Sequence, residues 1–415
     1  MSNSDALDQR RFVLGLNEAT LGLFAAAVLL LGAVFWSTNS PNVEKTDFSL
    51  TYVGARIVHQ GVGSRLYDLS FQKQLRDSLF QHPNPLFFEH PPFEALLLTP
   101  FSVFPFRTAY MLWGLFNAVV WLTLMLSLRP FLPWPREDLG YLCLWFLFAP
   151  LGVALFQGQS SILVLACYAM SFVKLQHDKQ LTGGFWLGLG LLKLQFVLPF
   201  AFIFLVRRKW RFLGGFALSS LLMIVLSIIA VGWNGIVGYA HLLSDVNNNP
   251  QNLSYGSATD MPTIYGFVHA ILGRELPPRA LNLLVACLSI VLLAFVAWKW
   301  QSVANRKSNQ LMFAAAIATS LLAGSHMFTH DFSPLLLALF VAGANFPQQQ
   351  YRGLRFVLAA TMVLFWTFAI YFLCVAWHCL FLMCPILLVF AFSAMLAARR
   401  ASQQPTNLGQ LVAAG

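Results

Sequence analysis

Thr46-Asp47-Phe48-Ser49-Leu50-Thr51-Tyr52-Val53-Gly54-Ala55-Arg56 follows the first apolar run of the chain and opens on a carboxylate. Read as a helix, Asp47, Thr51, Gly54 and Val58 share one face, at spacings of four, three and four. That face is narrow and mostly small, with the carboxylate at its N-terminal end. Two readings are open. Asp47 either does no more than favour the positive end of the helix dipole, or it is a chemical group set at the edge of the membrane.

The surroundings decide the setting. Of 415 residues, 58% are hydrophobic and only 10% are charged, whereas a soluble globular chain carries roughly a quarter charged residues. Apolar runs recur from end to end, so the expected fold is an all-α polytopic membrane protein of about 11 to 13 transmembrane helices. The formal charge of +10 does not point to nucleic acid. Its basic residues stand in small groups between apolar runs, and no nucleic-acid motif accompanies them. The six cysteines lie inside apolar runs without a CxxC spacing, which argues against a zinc site or a disulfide framework. The first run, about 20–36, lacks a small-residue cleavage site and reads as a retained helix.

The basic groups set an orientation. Arg10 and Arg11, Arg129 and Arg136, Lys174 and Lys179, Arg207 to Lys209 with Arg211, Arg306 and Lys307, Arg352 and Arg355, and Arg399 and Arg400 mark the cytoplasmic ends of the spans. Spans are expected near 109–128, 139–156, 162–173, 212–231, 279–300, 310–325, 332–346, 354–376 and 379–398. Residues 37–91 then lie outside, with the Asp47 helix, a turn at Gly61-Val62-Gly63 and an amphipathic stretch to Gln81 along the membrane surface. After His90-Pro91-Pro92-Phe93 comes an apolar run broken at Pro100 and Pro105, too short to span. Residues 181–206 carry basic clusters at both ends. Two short helices meeting near Lys193 keep both clusters inside and put Lys193 at an outer tip. Residues 232–261 form an outer loop. The whole reads as one membrane-embedded catalytic domain, 1–400, with a short cytoplasmic tail, 401–415.

This topology gathers Asp47, His90, Gln159, Lys193, Asp260, His326, His330 and Asp331 at the outer face. Polar groups at that depth are costly and usually line a cavity. Each has a plainer alternative. His90 caps a turn before two prolines, Gln159 bonds helix ends, Lys193 snorkels to the surface, and Asp331 orients His330. His326 and His330, four apart, could share a metal, but no HExxH motif or carboxylate ligand set supports one.

The ordered set Asp47, Tyr52, Ala55-Arg56, Gly61, Leu66-Tyr67-Asp68, His90-Pro91-Pro92-Phe93, Trp113, Gly158-Gln159, Gly184, Gly188, Lys193 and His330-Asp331 resembles glycosyltransferase family 87 over roughly residues 45–340. His90 stands where the family usually has the tyrosine of Tyr-Pro-Pro. The resemblance implies a GT-C fold and a polyprenyl-phosphate sugar donor used at the outer face of the cytoplasmic membrane, with a lipid or glycan acceptor, mannose being the leading sugar. It implies that Asp47 is the catalytic base and that the His330-Asp331 pair lies near the active site. Topology and residue chemistry add Arg56, Tyr67, His90, Gln159, Lys193, Asp260, His326 and Asp331 as expected substrate-binding residues.

The residue chemistry agrees without the family. An acceptor hydroxyl needs a nearby carboxylate to take its proton. A lipid-phosphate leaving group needs cations more than an acid, and Lys193, Arg56 or a protonated histidine could supply them. No phosphate-binding glycine loop or dinucleotide fingerprint occurs, so a nucleotide-sugar donor is unsupported. No cofactor and no metal are expected. The competing readings are a transporter or flippase of a lipid-linked sugar, and a lipid-linked glycan ligase or polymerase. No inverted repeat or matched pair of broken helices supports transport.

Overall fold

The computed structural model describes residues 18–81, 84–131, 145–248, 258–303, 305–324, 326–345 and 373–403, with scattered positions between 353 and 364. The expected cytoplasmic N-terminus, the tail beyond 403 and most of the span at 354–376 lie outside the described residues. So do the first part of the span at 139–156 and the middle of the loop at 232–261. Within the described residues every element is helical.

The chain enters through α1 (Glu18–Thr38). Ala26, Leu30 and Val34, four apart, are buried, while Phe24, Leu29, Leu31, Phe35 and Trp36 are exposed. That is one stripe toward the protein and the rest toward lipid. The buried stripe packs on α5 (Phe106–Leu128).

Between them, the segment expected at the outer face is folded into helices. It carries a 3-10 turn (Val43–Lys45), α2 (Phe48–His59), a second 3-10 turn (Gly63–Arg65), α3 (Leu69–Leu79) and α4 (Pro92–Leu98). α4 is about 10 Å long, far too short to cross. α2 is almost wholly buried. Its Phe48 and Tyr52 join Phe80, Phe106 and Tyr110 in an aromatic cluster, which fixes the outer segment to the top of α5.

The chain continues through α6 (Ala149–Gln157), α7 (Ser161–Gln176), α8 (Gln180–Leu189), a 3-10 turn (Gly190–Lys193), α9 (Leu194–Val206) and α10 (Trp210–Asn248). By length and composition alone, 180–206 could be one crossing. The packing says otherwise. Phe204 stacks on Phe212 with ring centroids 3.9 Å apart, and a side chain on Gly184 would collide with the Phe212 carbonyl. Residues 184 and 204 therefore lie at one level, whereas a straight helix would set them about 30 Å apart. The chain turns back at Lys193, whose φ of −127° and ψ of 81° are not helical. The reversal leaves room for α8 to run close beside α10. Gly184 meets the Phe212 carbonyl and Gly215 meets the Leu181 carbonyl, contacts that admit no Cβ. Cysteines placed at Gln180 and Lys209 are accordingly expected to label from the same side of the membrane. Labelling from opposite sides would establish one straight crossing.

α10 breaks at Gly232 (φ 68°, ψ 178°). The outer loop expected from 232 onward is thus still helical to Asn248, a correction that periodicity across one glycine could not supply. α11 (Ile264–Leu272), α12 (Pro278–Gln301), α13 (Arg306–Leu322), α14 (Leu335–Asn345) and α15 (Met383–Gln403) complete the bundle. α13 and α14 are buried nearly all round, so they form the centre of the bundle. Among the described residues five stretches are long and apolar enough to cross, with two shorter apolar helices. One of the five is the hairpin. α6, α13 and α14 are 9, 17 and 11 residues, below the roughly twenty of a full crossing. The protein is an all-α polytopic membrane protein in which short and re-entrant helices meet near one face.

Candidate active site

Four separate parts of the chain meet at Asp47. The first is the start of α2, where Asp47 precedes the first helical residue. Its side chain makes no capping bond to its own helix, and its oxygens instead accept from Gln159 and Asn84. The second is the turn between α6 and α7. Gly158 ends α6 with φ 66°, a conformation that favours glycine, and its carbonyl accepts a 2.8 Å bond from the Trp113 indole N–H. Gln157 Oε1 accepts the Asp47 backbone N–H at 3.0 Å. Gln159 is thereby aimed at Asp47, and its Nε2 donates to Asp47 Oδ2 at 2.7 Å.

The hairpin tip is the third part. Lys193 Nζ donates to Gln159 Oε1 at 3.0 Å and pairs with Asp331 Oδ1 at 3.2 Å. The fourth is the 3-10 turn Thr329–Phe332 between α13 and α14. There Asp331 also accepts from Ser161 Oγ at 3.3 Å and from the Phe328 N–H at 3.1 Å, and His330 Nε2 lies 3.4 Å from Asp331 Oδ1. A continuous polar chain results, Asp47–Gln159–Lys193–Asp331–His330. Its last three members are buried, while Asp47 keeps partial exposure.

The two aspartates differ in kind. Burial alone would raise the Asp331 carboxyl, but Lys193 and His330 pull it down to about 2. With a cation, a hydroxyl and a backbone N–H on it, Asp331 is a poor proton acceptor. Among the described residues the Asp47 carboxylate accepts from two amides, Gln159 and Asn84 Nδ2, the latter at 3.3 Å, which leaves lone pairs for a substrate. Burial lowers both histidines, His326 to about 4 and His330 as well, and so disfavours their charged forms. His326 precedes the 3-10 turn that contains His330, so the pair does not share a helical face as its spacing suggested.

His90 sits at the same centre. Its Nδ1 lies 2.9 Å from Glu94 Oε2. Burial opposes the imidazolium, yet the Glu94 carboxylate more than offsets this and raises the His90 pKa. Lys193 and Glu89 also act on it. Glu94, buried inside α4, has no counterpart among the residues singled out from sequence. The i,i+4 spacing from His90 was the available signal.

Three expected site residues do other work. The Arg56 guanidinium donates to the Ser102 carbonyl at 2.9 Å, tying α2 to the chain after α4. Tyr67 donates to the His90 carbonyl at 2.7 Å and packs against Tyr239, so it supports His90 from behind. Asp260 pairs with the exposed His378 at 2.8 Å.

The segment that brings Asn84 and His90 to the site is held by α3. Gln72 bonds both the N–H and the C=O of Phe88, at 2.7 and 3.1 Å. Arg76 Nη1 reaches the carbonyls of Asn84, Pro85 and Leu86 at 3.3, 2.8 and 3.1 Å. These two buried polar residues of an otherwise amphipathic helix orient residues 84–90.

A helical membrane bundle with a partly exposed carboxylate, a buried ammonium and a histidine-aspartate pair at one centre defines the class, a membrane-embedded enzyme of group transfer. The chain belongs to glycosyltransferase family 87, whose model matches residues 87–329. The match takes in His90, Gln159, Lys193, Asp260 and His326, while Asp47 and the His330-Asp331 pair fall outside its limits. Comparison with curated proteins and with solved structures finds no match. The protein is a membrane glycosyltransferase.

Proposed function

We propose that the enzyme moves a single hexose or pentose, mannose first among them, from a polyprenyl-phosphate carrier to a hydroxyl of a lipid or glycan acceptor. The reaction takes place at the outer face of the cytoplasmic membrane. The observation that carries this reading is the polar chain from Asp47 to His330. It sets a proton acceptor with free lone pairs a short way from an ammonium and an imidazole, the two poles that such a transfer needs.

The acceptor oxygen attacks the anomeric carbon and its proton passes to Asp47. The bond between that carbon and the phosphate oxygen breaks, and its electron pair leaves with the polyprenyl phosphate. Two of the three Lys193 N–H donors are taken by Gln159 and Asp331, and the third remains for that phosphate. His330 stands beside it with a ring N–H to offer. Asp331 keeps Lys193 in place, and Gln159 keeps Asp47 facing the acceptor.

A radiolabelled polyprenyl-phosphate hexose incubated with membranes containing the protein should yield a new labelled glycolipid or glycan. Label that crosses the bilayer without forming a new bond would replace this reading with transport. Label accepted only from a nucleotide sugar would overturn the donor.

A further inference from the structure

Glu89 lies between two fastened neighbours. Phe88 has both backbone groups taken by Gln72, and the carbonyl of His90 is taken by Tyr67. The backbone on either side is thus held, yet the Glu89 carboxylate has no hydrogen-bond partner among the described residues. It is only partly exposed. The charged groups acting on it are His90, Lys193 and Asp47, so it shares the centre formed by the first outer segment and the hairpin tip. Its place far along the loop after Asp47 suggests a solvated surface role, and the structure moves it inward.

A partly exposed carboxylate that no protein donor takes has its lone pairs open to a hydroxyl-bearing ligand. Asp47 accepts from two amides, Asp331 accepts from Lys193, a serine hydroxyl and a backbone N–H, and Glu94 Oε2 lies 2.9 Å from His90 Nδ1. We propose that Glu89 is a substrate-binding residue that accepts hydrogen bonds from hydroxyl groups of the transferred sugar or of the acceptor, and so helps set which polyol is taken. This rests on the glycosyl-transfer reading above. A carboxylate is suited to hydroxyls and repels a phosphate. The phosphate end of the donor therefore lies toward Lys193 and His330, and the hydroxyl-bearing groups lie toward Glu89.

Burial raises the Glu89 carboxyl to about 7, with Asp47 adding to the rise and His90 and Lys193 working against it. Glu94, paired with His90, is the other carboxylate on the same stretch, and Asp331 and His330 face Lys193 from the α13–α14 turn. The sign follows. Above about pH 7 Glu89 is an anion and accepts strongly. As pH falls through 7 it becomes protonated, and the KM of the substrate it holds should rise.

The test uses the full-length protein in detergent or nanodiscs, with initial rates measured against polyprenyl-phosphate hexose and acceptor separately. Glu89→Gln should raise one KM by about tenfold, leave kcat within a few-fold and flatten the pH dependence of that KM. A rise in the donor KM assigns Glu89 to the transferred sugar, and a rise in the acceptor KM assigns it to the acceptor. Unchanged KM values and an unchanged pH profile overturn the proposal, as does a loss of kcat at constant KM. If Glu89→Gln does not accumulate as folded protein, the wild-type profile decides, and KM values flat across pH 7 sink the idea. Wild-type protein that transfers no sugar from the lipid donor refutes the underlying reading and takes this one with it.

Discussion

Asp47→Asn lowers turnover by about 10²–10⁴-fold while donor binding and protein level persist, because a general base contributes about that much to rate. The substitution keeps the shape of the side chain. Its amide oxygen can still accept from Gln159 or from Asn84, whose donors lie 2.7 and 3.3 Å from the two carboxylate oxygens, so one of two hydrogen bonds is retained. The site is partly exposed, and no buried ion pair is broken. The loss should therefore fall on kcat and leave the donor KM little changed. Asp331→Asn makes the contrast. From sequence it was expected to act mildly, through the orientation of His330. In the structure Asp331 is the counter-ion of the buried Lys193, so its replacement should first lower thermal stability, and with it the folded yield. Turnover per folded molecule separates the two. Near-normal turnover by purified Asp47→Asn would move the proton acceptor away from Asp47.

What could be read in the sequence, and what could not, divides along physical lines. The membrane class, the folded first outer segment and the hairpin at 181–206 were legible because they depend on local signals. These are the length of apolar runs, the placement of lysine and arginine, and the carboxylate at the start of α2. The meeting of Asp47 with Gln159, and of Lys193 with Asp331, was legible only as a shared side of the membrane, since those partners are far apart in sequence. Lys193 illustrates the limit. An outer tip suggests solvent, but this tip is buried against α7 and holds its ammonium on Gln159 and Asp331. Glu89 and Glu94 were passed over for the opposite reason. They stand in a stretch without clear period, and their depth is set by Gln72 and Arg76 of α3. Arg56 and Asp260 carried charge that suited a substrate, and in the structure their partners are the Ser102 carbonyl and His378.

Lys193→Met is the second substitution expected to have a large effect, and its effect should come in two separable parts. The methionine fills the space of the lysine stem, so little packing is lost. What disappears is the ammonium, which lies 3.0 Å from Gln159 Oε1 and 3.2 Å from Asp331 Oδ1 in a buried setting. Removing one partner of a buried pair leaves an uncompensated charge, at a cost of about 3–5 kcal/mol. The unfolding temperature should fall. The second part is chemical. The leaving phosphate loses a cation, and Gln159 loses the contact that keeps its amide N–H toward Asp47. Loss of one such electrostatic donor lowers kcat by about 10²–10³-fold, and the donor KM should rise more than the acceptor KM. Combining Lys193→Met with Asp331→Asn separates the parts. The double variant no longer buries a lone charge, so it should recover much of the stability lost by either single change. It should recover none of the turnover, since the cation is still missing. Recovery of turnover together with stability would show that Lys193 serves only to neutralise Asp331, and the phosphate would then have to be held by His330 and other groups.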